Sequence, residues 1–283
     1  MTPTTTAPAT AATLDVPGAR LYYELRGEGP LMALVGSPMG ATFFAPLADL
    51  LAADHTVLTI DPRGINRSAV DDPNQDSTPR MRADDLSRLI AHLDTGPAVV
   101  VVSSGGAVSV LALAQAHPEQ VRTVVAHEPP LEELLDDREQ RRAATDDIIA
   151  TYLCDGPAAA WTKFLAAADI TMPEHDGDGG SPVAPAERDP QEVADEHFFF
   201  VHEMRPTARW EPDTAALRDG SPRIAVGIGD ESAGQVCDRT STELAAALGV
   251  EPTMFPGGHI GFVEDPDAFA ARLRAILAGA QGR

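Results

Sequence analysis

The sequence predicts a doubly wound α/β fold, in which a mostly parallel sheet is covered by helices on both faces. Three observations lead to this prediction. Several short, mostly apolar runs have the length and composition of strands that are buried on both sides. Helical patterns separate these runs, and strands that alternate with helices imply right-handed crossovers between parallel strands. The 283-residue chain is 43% hydrophobic, which is enough for one large core.

The predicted elements follow one another along the chain. Residues 1–13 are rich in Thr, Ala and Pro, and we expect a disordered leader without a targeting pattern. Residues 21–26 alternate in polarity and are expected to form an antiparallel edge strand. The buried strands are predicted at 31–35, 56–60, 98–102, 121–126 and 224–228, and the core helices at 44–53, 79–93, 106–117, 240–248 and 267–278.

One long segment, residues 131–222, carries helical patterns but no strand pattern. We predict that it forms a helical cap, inserted into a core that comprises residues 14–130 and 223–283. Its stretch 172–190 is rich in Gly, Asp and Pro, which favours a surface loop. The cap also holds many of the aromatic rings, which either line a pocket or pack the cap onto the core. The rings expected to bind substrate are Trp161, Phe198 and Trp210.

Composition excludes several classes of partner. Acidic residues outnumber basic ones by 43 to 21, which gives a net charge of −22. Nucleic acids and anionic membranes bind clustered Lys and Arg, so we expect neither as a partner. Cys154 and Cys237 form no CxxC pair, which argues against a thiolate zinc site and a disulfide framework. We expect a cytoplasmic protein that needs no metal or organic cofactor, and the sequence does not determine whether it forms homo-oligomers.

A pair of serines stands between the predicted strand 98–102 and a helix of small residues. A sharp strand–turn–helix connection of this kind lifts a serine Oγ above the edge of a sheet, as in the G-x-S-x-G nucleophile elbow. Ser104 is the central serine if Gly106 is the trailing glycine, and Ser103 is central if Gly105 is. A valine takes the place of the leading glycine in both registers, so the glycines alone leave both serines open.

A second turn, Gly36-Ser37-Pro38, follows the predicted strand 31–35. In an acyl-transfer site, two backbone N–H groups stabilise the negative oxygen that forms in the transition state. The N–H groups of Ser37 and Gly105 are expected to form this oxyanion hole. We expect the neighbouring Pro38 and Ser103 to contact the substrate.

A histidine and two acidic residues complete the candidate site. His259 lies in a glycine-flanked loop before the last predicted helix, where the general base belongs in the chain order Ser, acid, His. Asp230 follows the predicted strand 224–228, and Glu128 follows the strand 121–126. A carboxylate at either place could orient the imidazole of His259 and stabilise its protonated form.

Together these motifs resemble the α/β-hydrolase superfamily over residues 20–277. The D-P-R-G turn adds to the resemblance, and its Asp61 and Arg63 are expected to be structural. More narrowly, the chain resembles zearalenone lactone hydrolases, which share an S-S-G elbow, an H-E-x-P turn and a P-G-x-H loop. The matching residues here are 103–105, 127–130 and 256–259. The resemblance implies an α/β-hydrolase fold with the cap inserted after the sixth strand of that fold, residues 121–126.

The resemblance also assigns roles. The family's nucleophile lies 24 residues before its catalytic glutamate, a spacing that Ser104 and Glu128 reproduce (128 − 104 = 24) and that Ser103 does not. The implied triad is therefore Ser104, His259 and Glu128, with Asp230 and Glu231 as alternative acids.

The implied reaction is hydrolysis of a carboxylic ester through an acyl-enzyme on Ser104. The expected substrate is the lactone of a bulky apolar macrolactone such as zearalenone. Two alternatives use the same triad, namely a general carboxylesterase and a tailoring thioesterase of secondary metabolism. A third alternative is a non-hydrolytic binding protein on the same fold, which the valine at position 102 favours.

Overall fold

The computed structural model describes residues 9–170 and 188–280. Within these residues nine strands form a single sheet in the order β1-β2-β4-β3-β6-β7-β8-β9, and β5 pairs with β2 off this path. The strands from β4 to β9 along this order are parallel, whereas β2 is antiparallel to its neighbours. Their bounds are β1 Thr10–Val16, β2 Ala19–Arg26, β3 Leu31–Val35, β4 Thr56–Ile60, β5 Ala69–Val70, β6 Ala98–Ser103, β7 Val121–His127, β8 Arg223–Gly229 and β9 Thr253–Phe255.

Helices cover both faces of this sheet. They are α1 Ala41–Leu51, α2 Pro79–Leu93, α3 Gly105–Ala116, α4 Arg138–Asp155, α5 Pro157–Ala167, α6 Pro190–Phe198, α7 Met204–Ala208, α8 Thr214–Asp219, α9 Val236–Leu248, α10 Gly261–Glu264 and α11 Pro266–Ala280. Single 3₁₀ turns lie at Pro118–Gln120 and Glu132–Leu134, and a π-helical turn, Phe199–Glu203, joins α6 to α7. None of the helices in the described segments is both long and apolar enough to cross a membrane.

Alternate side chains of each central strand enter two different hydrophobic clusters. In β3, Ala33 and Val35 pack with α2, α3 and α9 on one face of the sheet. Met32 and Leu34 pack with α1 and α11 on the other face. Period-two alternation with both faces buried explains why the strand is a continuous apolar run. The predicted doubly wound, mostly parallel α/β sheet is thereby confirmed.

The N-terminal region differs from its prediction. Thr10–Val16 forms β1 and pairs along its whole length with β2, so the leader predicted for 1–13 is wrong from Thr10 onward. Residues 1–8 lie outside the described residues. Gly18, at φ 77°, supplies the left-handed turn that brings β1 back onto β2. Because β1 takes the outer position, β2 is not the edge strand that its alternation predicted.

Between β7 and β8 the described residues contain helices and no strand. We call the five helices α4–α8, with the segments that join them, the cap. A third cluster holds the cap together and includes Ile148, Ala160 and Phe200. The predicted boundaries of the cap at 131 and 222 stay a prediction. The surface loop predicted at 172–190 lies outside the described residues, apart from its last three positions.

Candidate active site

Ser104 occupies the sharp turn between β6 and α3. Its backbone, at φ 56° and ψ −134°, is in a region that residues with a side chain rarely adopt. Its N–H donates to the carbonyl oxygen of His127 at 3.1 Å, and its own carbonyl accepts from the N–H of Ala107 at 2.9 Å. Strain of this kind costs about 1–3 kcal/mol and persists only where surrounding structure holds it. The turn therefore resembles a nucleophile elbow, with a half-buried serine at its tip.

The glycines after Ser104 allow close packing of α3 against the turn that follows β3. A Cβ on Gly106 would lie 2.6 Å from the carbonyl oxygen of Val35, and one on Gly105 would lie 2.9 Å from that of Ser37. The valine in place of the leading glycine is accommodated because Val102 points into the hydrophobic core. The elbow therefore does not need a glycine at that position.

Ser103 is placed differently from its neighbour. It ends β6, is 1% exposed, and has its Oγ 3.3 Å from Nδ1 of His127. The hydroxyl also lies 3.4 Å from the carbonyl oxygen of His259. Ser103 does not line the cavity described below, contrary to the prediction that it contacts substrate. At the turn, the side chain of Ser103 is buried in the protein, whereas that of the next residue, Ser104, faces the cavity.

His259 contacts Glu128 and neither of the alternative acids. Oε2 of Glu128 lies 2.7 Å from Nδ1 of His259, and Oε1 accepts from the N–H of Gly229 at 2.7 Å. With Nδ1 donating to the carboxylate, Nε2 of the neutral ring is left as an acceptor. Asp230 is exposed and accepts from the N–H of Gly257 at 2.9 Å, and Glu231 is exposed as well.

Burial and charge set the protonation of this pair. Burial raises the pKa of Glu128, but the hydrogen bond from His259 and the nearby His127 and His259 rings outweigh it and lower this pKa to about 2. Burial lowers the pKa of His259, but the neighbouring sulfur of Cys237 and the hydrogen-bonded carboxylate of Glu128 raise it above its usual value. Burial lowers the pKa of His127 to about 4, so this ring is neutral near pH 7. Glu128 is therefore the negative partner of His259.

A cavity of about 470 Å³ opens above these residues, which is within the usual size range of small-molecule sites. Its floor includes five of the residues predicted for the site: Ser37, Pro38, Ser104, Gly105 and His259. They meet because each follows, directly or by a short loop, the carboxyl end of a strand in the parallel part of the sheet. In open α/β sheets, ligands bind outside these carboxyl ends.

The cap supplies aromatic rings to the opposite wall. Trp161 lines the cavity and is stacked on Phe199, with 5.7 Å between the ring centroids; its contact with substrate stays a prediction. Phe198 does not line it, because its ring packs over Gly64, where a Cβ would lie 2.4 Å away. Its neighbour Phe199, the first residue of the π-helical turn, lines the cavity instead. Trp210 also misses the cavity and packs against the cluster around α2 and α3.

Among the cavity residues that the sequence did not single out, Cys237 and Glu203 bear most on the chemistry. Cys237 is 8% exposed, and its Sγ, a carboxylate oxygen of Glu128 and a ring nitrogen of His259 all lie within 4.8 Å of one another. The signal for it was its position at the start of the helix after β8, close to the loop that carries the acidic candidates. Glu203 is 1% exposed. The sequence feature that could have indicated Glu203 is an acid in a mostly apolar run, F-F-F-V-H-E-M.

Comparisons with known proteins agree with this architecture. A family model described as alpha/beta hydrolase family matches residues 32–272. An uncharacterized hydrolase, YraK, of Bacillus subtilis is 30% identical over 278 residues, which cover 94% of this chain and 95% of that protein. A zearalenone hydrolase of Bionectria ochroleuca is 28% identical over 279 residues, covering 92% and 95%.

A solved structure gives the same fold. A hydrolase from Pseudomonas aeruginosa PA01 superimposes with a TM-score of 0.70 at 20% identity, over 95% of this chain and 98% of that one. At this level of identity the likeness concerns the fold alone. The match over most of the chain, the parallel sheet and the elbow agree, and the chain belongs to the alpha/beta hydrolase family.

Proposed function

We propose that this protein is a serine hydrolase of carboxylic esters, and that its preferred ester is the lactone of a bulky apolar macrolactone such as zearalenone. The observation that carries the proposal is the contact between His259 and Glu128, with His259 lining the same cavity as Ser104 in its strained turn. The zearalenone hydrolase that aligns with nearly the whole chain supports the choice of lactone. The aromatic rings of the cap wall suit a large apolar substrate.

The proposed chemistry proceeds through an acyl-enzyme. Oγ of Ser104 attacks the ester carbonyl while Nε2 of His259 accepts its proton, and Glu128 stabilises the imidazolium that forms. The N–H groups of Ser37 and Gly105 bind the oxyanion. When the tetrahedral intermediate collapses, His259 returns the proton to the leaving alkoxide. In a lactone this alcohol stays tethered to the acyl group and must swing aside before water, with His259 as base, releases the acid.

The test is mass-spectrometric and uses zearalenone with three proteins: the wild type, Ser104→Ala and Ser103→Ala. The wild type is expected to give a product heavier by one water. Ser104→Ala should lose at least about 10³-fold of this activity, because the nucleophile is absent. Ser103→Ala is the matched control and should retain activity, since its hydroxyl does not line the cavity.

The possible results separate the parts of the proposal. Loss of activity in Ser103→Ala with retention in Ser104→Ala would transfer the nucleophile to Ser103. If zearalenone is untouched but a fluorophosphonate labels Ser104, the serine hydrolase stands and the lactone preference is discarded. In that case simple carboxylic esters and thioesters are the substrates to test next. A protein that neither turns over esters nor reacts with the fluorophosphonate would contradict the whole proposal.

A further inference from the structure

One carboxyl group in the cavity wall has an open hydrogen-bonding position. Glu203 ends the π-helical turn Phe199–Glu203, lines the cavity and is 1% exposed. Its Oε1 accepts a hydrogen bond from Oγ of Ser37. Its Oε2 is buried and has no hydrogen-bond partner among the described residues. Buried polar atoms are seldom left unpaired, and π-helical turns occur frequently at functional sites.

No cation contacts Glu203 within the described part of the chain. The buried guanidinium of Arg82 is the charge that acts on it most, but its nitrogens donate to Ser77, Ser109 and Thr207. A carboxylate with one oxygen buried and unpaired beside a largely apolar cavity is unfavourable, whereas a neutral carboxyl is tolerated. Burial accordingly raises the pKa of Glu203, although Arg82 and the hydrogen bond from Ser37 oppose the shift.

Other charged groups lie near Arg82 and on the cavity wall. Asp85, behind Arg82, binds Arg63 through two hydrogen bonds of 2.7 Å. Among the described residues of the cavity wall, the remaining ionisable groups besides Cys237 and His259 are Glu132 and Arg141. The neutral form of Glu203 therefore has its Oε1 as the acceptor for Ser37 and its Oε2–H as a free donor.

This donor lies close to the groups that would hold the oxyanion. A Cβ on Gly105 would lie 3.3 Å from Oγ of Ser37, the hydroxyl that Glu203 accepts from. Glu203 is therefore hydrogen-bonded to Ser37, whose side chain lies next to Gly105 in the elbow. Glu203 and Ser104 line the same cavity, which would hold an acyl group attached at Ser104.

We propose that Glu203 is a specificity-determining residue whose neutral carboxyl donates Oε2–H to an oxygen atom in the acyl part of the substrate. The site then prefers hydroxy-, alkoxy- or oxo-acyl esters and lactones to hydrocarbon ones of equal size. This inference rests on the proposed ester hydrolysis. A pocket that must pair a buried donor discriminates strongly against a substrate that leaves the donor unpaired.

The test uses p-nitrophenyl esters in which one methylene of the acyl chain is replaced by oxygen, at successive positions from the carbonyl. The ratio of kcat/KM for each oxygen ester to that for its hydrocarbon parent is measured in the wild type, Glu203→Leu and Glu203→Gln. Comparing these ratios between proteins cancels the intrinsic reactivity of each ester. Thr145→Val is the matched control, because Thr145 is another buried polar residue of the same wall.

At one or two positions the oxygen preference of the wild type should exceed that of Glu203→Leu by about 10- to 100-fold. Glu203→Gln should keep most of the preference, since its amide N–H can donate to the same oxygen. Thr145→Val should not change it. In addition, the infrared difference spectrum of wild type minus Glu203→Gln at neutral pH should contain the carbonyl band of a neutral carboxylic acid.

Three results would overturn the inference while ester hydrolysis stands. The first is an oxygen preference that is equal in the wild type and Glu203→Leu at every position. The second is a loss of the oxygen preference that is as large in Glu203→Gln as in Glu203→Leu. The third is the absence of the neutral carboxyl band from the infrared difference spectrum. The second result would make Glu203 a buried carboxylate that balances the charge of Arg82. A wild type that hydrolyses none of the esters and resists the fluorophosphonate refutes the proposed function instead, and the inference falls with it.

Discussion

At the scale of single residues, the candidate site depends on backbone conformations that side-chain-bearing residues seldom adopt. Ser104 has φ 56° and Glu128 has φ 50°. Each directly follows a buried strand, β6 or β7, so each side chain is turned out of the sheet at its carboxyl edge. The sequence suggested these positions through short motifs, but it could not decide between Glu128 and Asp230. Only the fold shows that His259 reaches across to Glu128 while Asp230 stays exposed.

Substitution of the two acidic candidates should separate their roles. We expect Glu128→Gln to lower kcat by about 10³- to 10⁴-fold, because the amide cannot stabilise the imidazolium of His259. Asp230→Asn, the matched control, should change kcat by less than about threefold, since its carboxylate contacts only the N–H of Gly257. The kcat values of the two variants are measured by steady-state kinetics with an ester that the wild type hydrolyses, and circular dichroism checks that both variants are folded. Comparable losses in the two variants would contradict the assignment of Glu128.

Cys237 should influence the pH dependence of turnover. A general base acts in its neutral form, so activity increases as the pH rises through the pKa of His259. Because that pKa is raised, the ascending limb is expected on the alkaline side of an ordinary histidine, about 6.5. Cys237→Ala removes one of the groups that raise it, so the limb should move to lower pH. The profile of kcat/KM against pH measures this shift.

Cys154→Ala is the control for that measurement, because Cys154 is exposed and lies outside the residues that line the cavity. Its limb should coincide with that of the wild type. An identical limb in Cys237→Ala would show that the sulfur does not act on His259.

At the scale of elements, apolar runs were predicted more accurately than exposed ones. β3, β4 and α2 begin and end at the predicted residues. The short strands β5 and β9 were missed, since two or three residues carry no readable period. β1 was missed because it is mostly exposed and rich in Thr and Ala, so only its pairing with β2 marks it as a strand. In the cap wall, Phe199 was missed in favour of its neighbour Phe198, at the point where α6 passes into a π-helical turn.

The contact between α3 and the turn after β3 should be sensitive to one methyl group. We expect Gly106→Ala to destabilise the protein by about 1–3 kcal/mol, because the added Cβ meets the backbone of Val35 and Gly36. Gly279→Ala is the matched control in a helix, where a Cβ meets nothing within 4 Å. It should be neutral or stabilising by up to about 1 kcal/mol.

Chemical denaturation of the wild type and both variants measures these differences. The displaced turn carries Ser37, so Gly106→Ala should also lose ester turnover, while Gly279→Ala keeps it. A Gly106→Ala protein that is as stable and active as the wild type would show that α3 can move away from the turn at little cost.

At the scale of the whole molecule, His127 should determine part of the loss of folding stability in acid. It is the last residue of β7, and its ring packs against α11. His127 is 0% exposed and meets the rings of Phe255 and Phe269 edge to face, at 5.4 and 5.5 Å between centroids. Its pKa is about 4 in the fold, against 6.5 when solvated. The unfolded chain therefore takes up a proton first as the pH falls. Stability that is fully present above pH 6.5 is lost between 6.5 and 4.

The expected loss from this single group is about 3 kcal/mol, at 1.36 kcal/mol for each pKa unit. His127→Gln should remove most of this dependence, even if it lowers stability at neutral pH. His92→Gln, at an exposed histidine, is the control and should leave the dependence unchanged. Urea unfolding at a series of pH values measures the slope. A slope in His127→Gln equal to that of the wild type would contradict the prediction.

The contact between Glu128 and His259 joins residues that are 131 positions apart. A ribosome that adds about 5–20 residues per second needs roughly 7–26 s to make that stretch. When this interval begins, the elbow and Glu128 already exist on the nascent chain, whereas the strands β8 and β9 that complete this end of the sheet are added only during it. A growing polypeptide therefore carries the serine for many seconds before it carries the histidine. Hydrolysis that uses both is a property that the chain acquires only once residue 259 has been added.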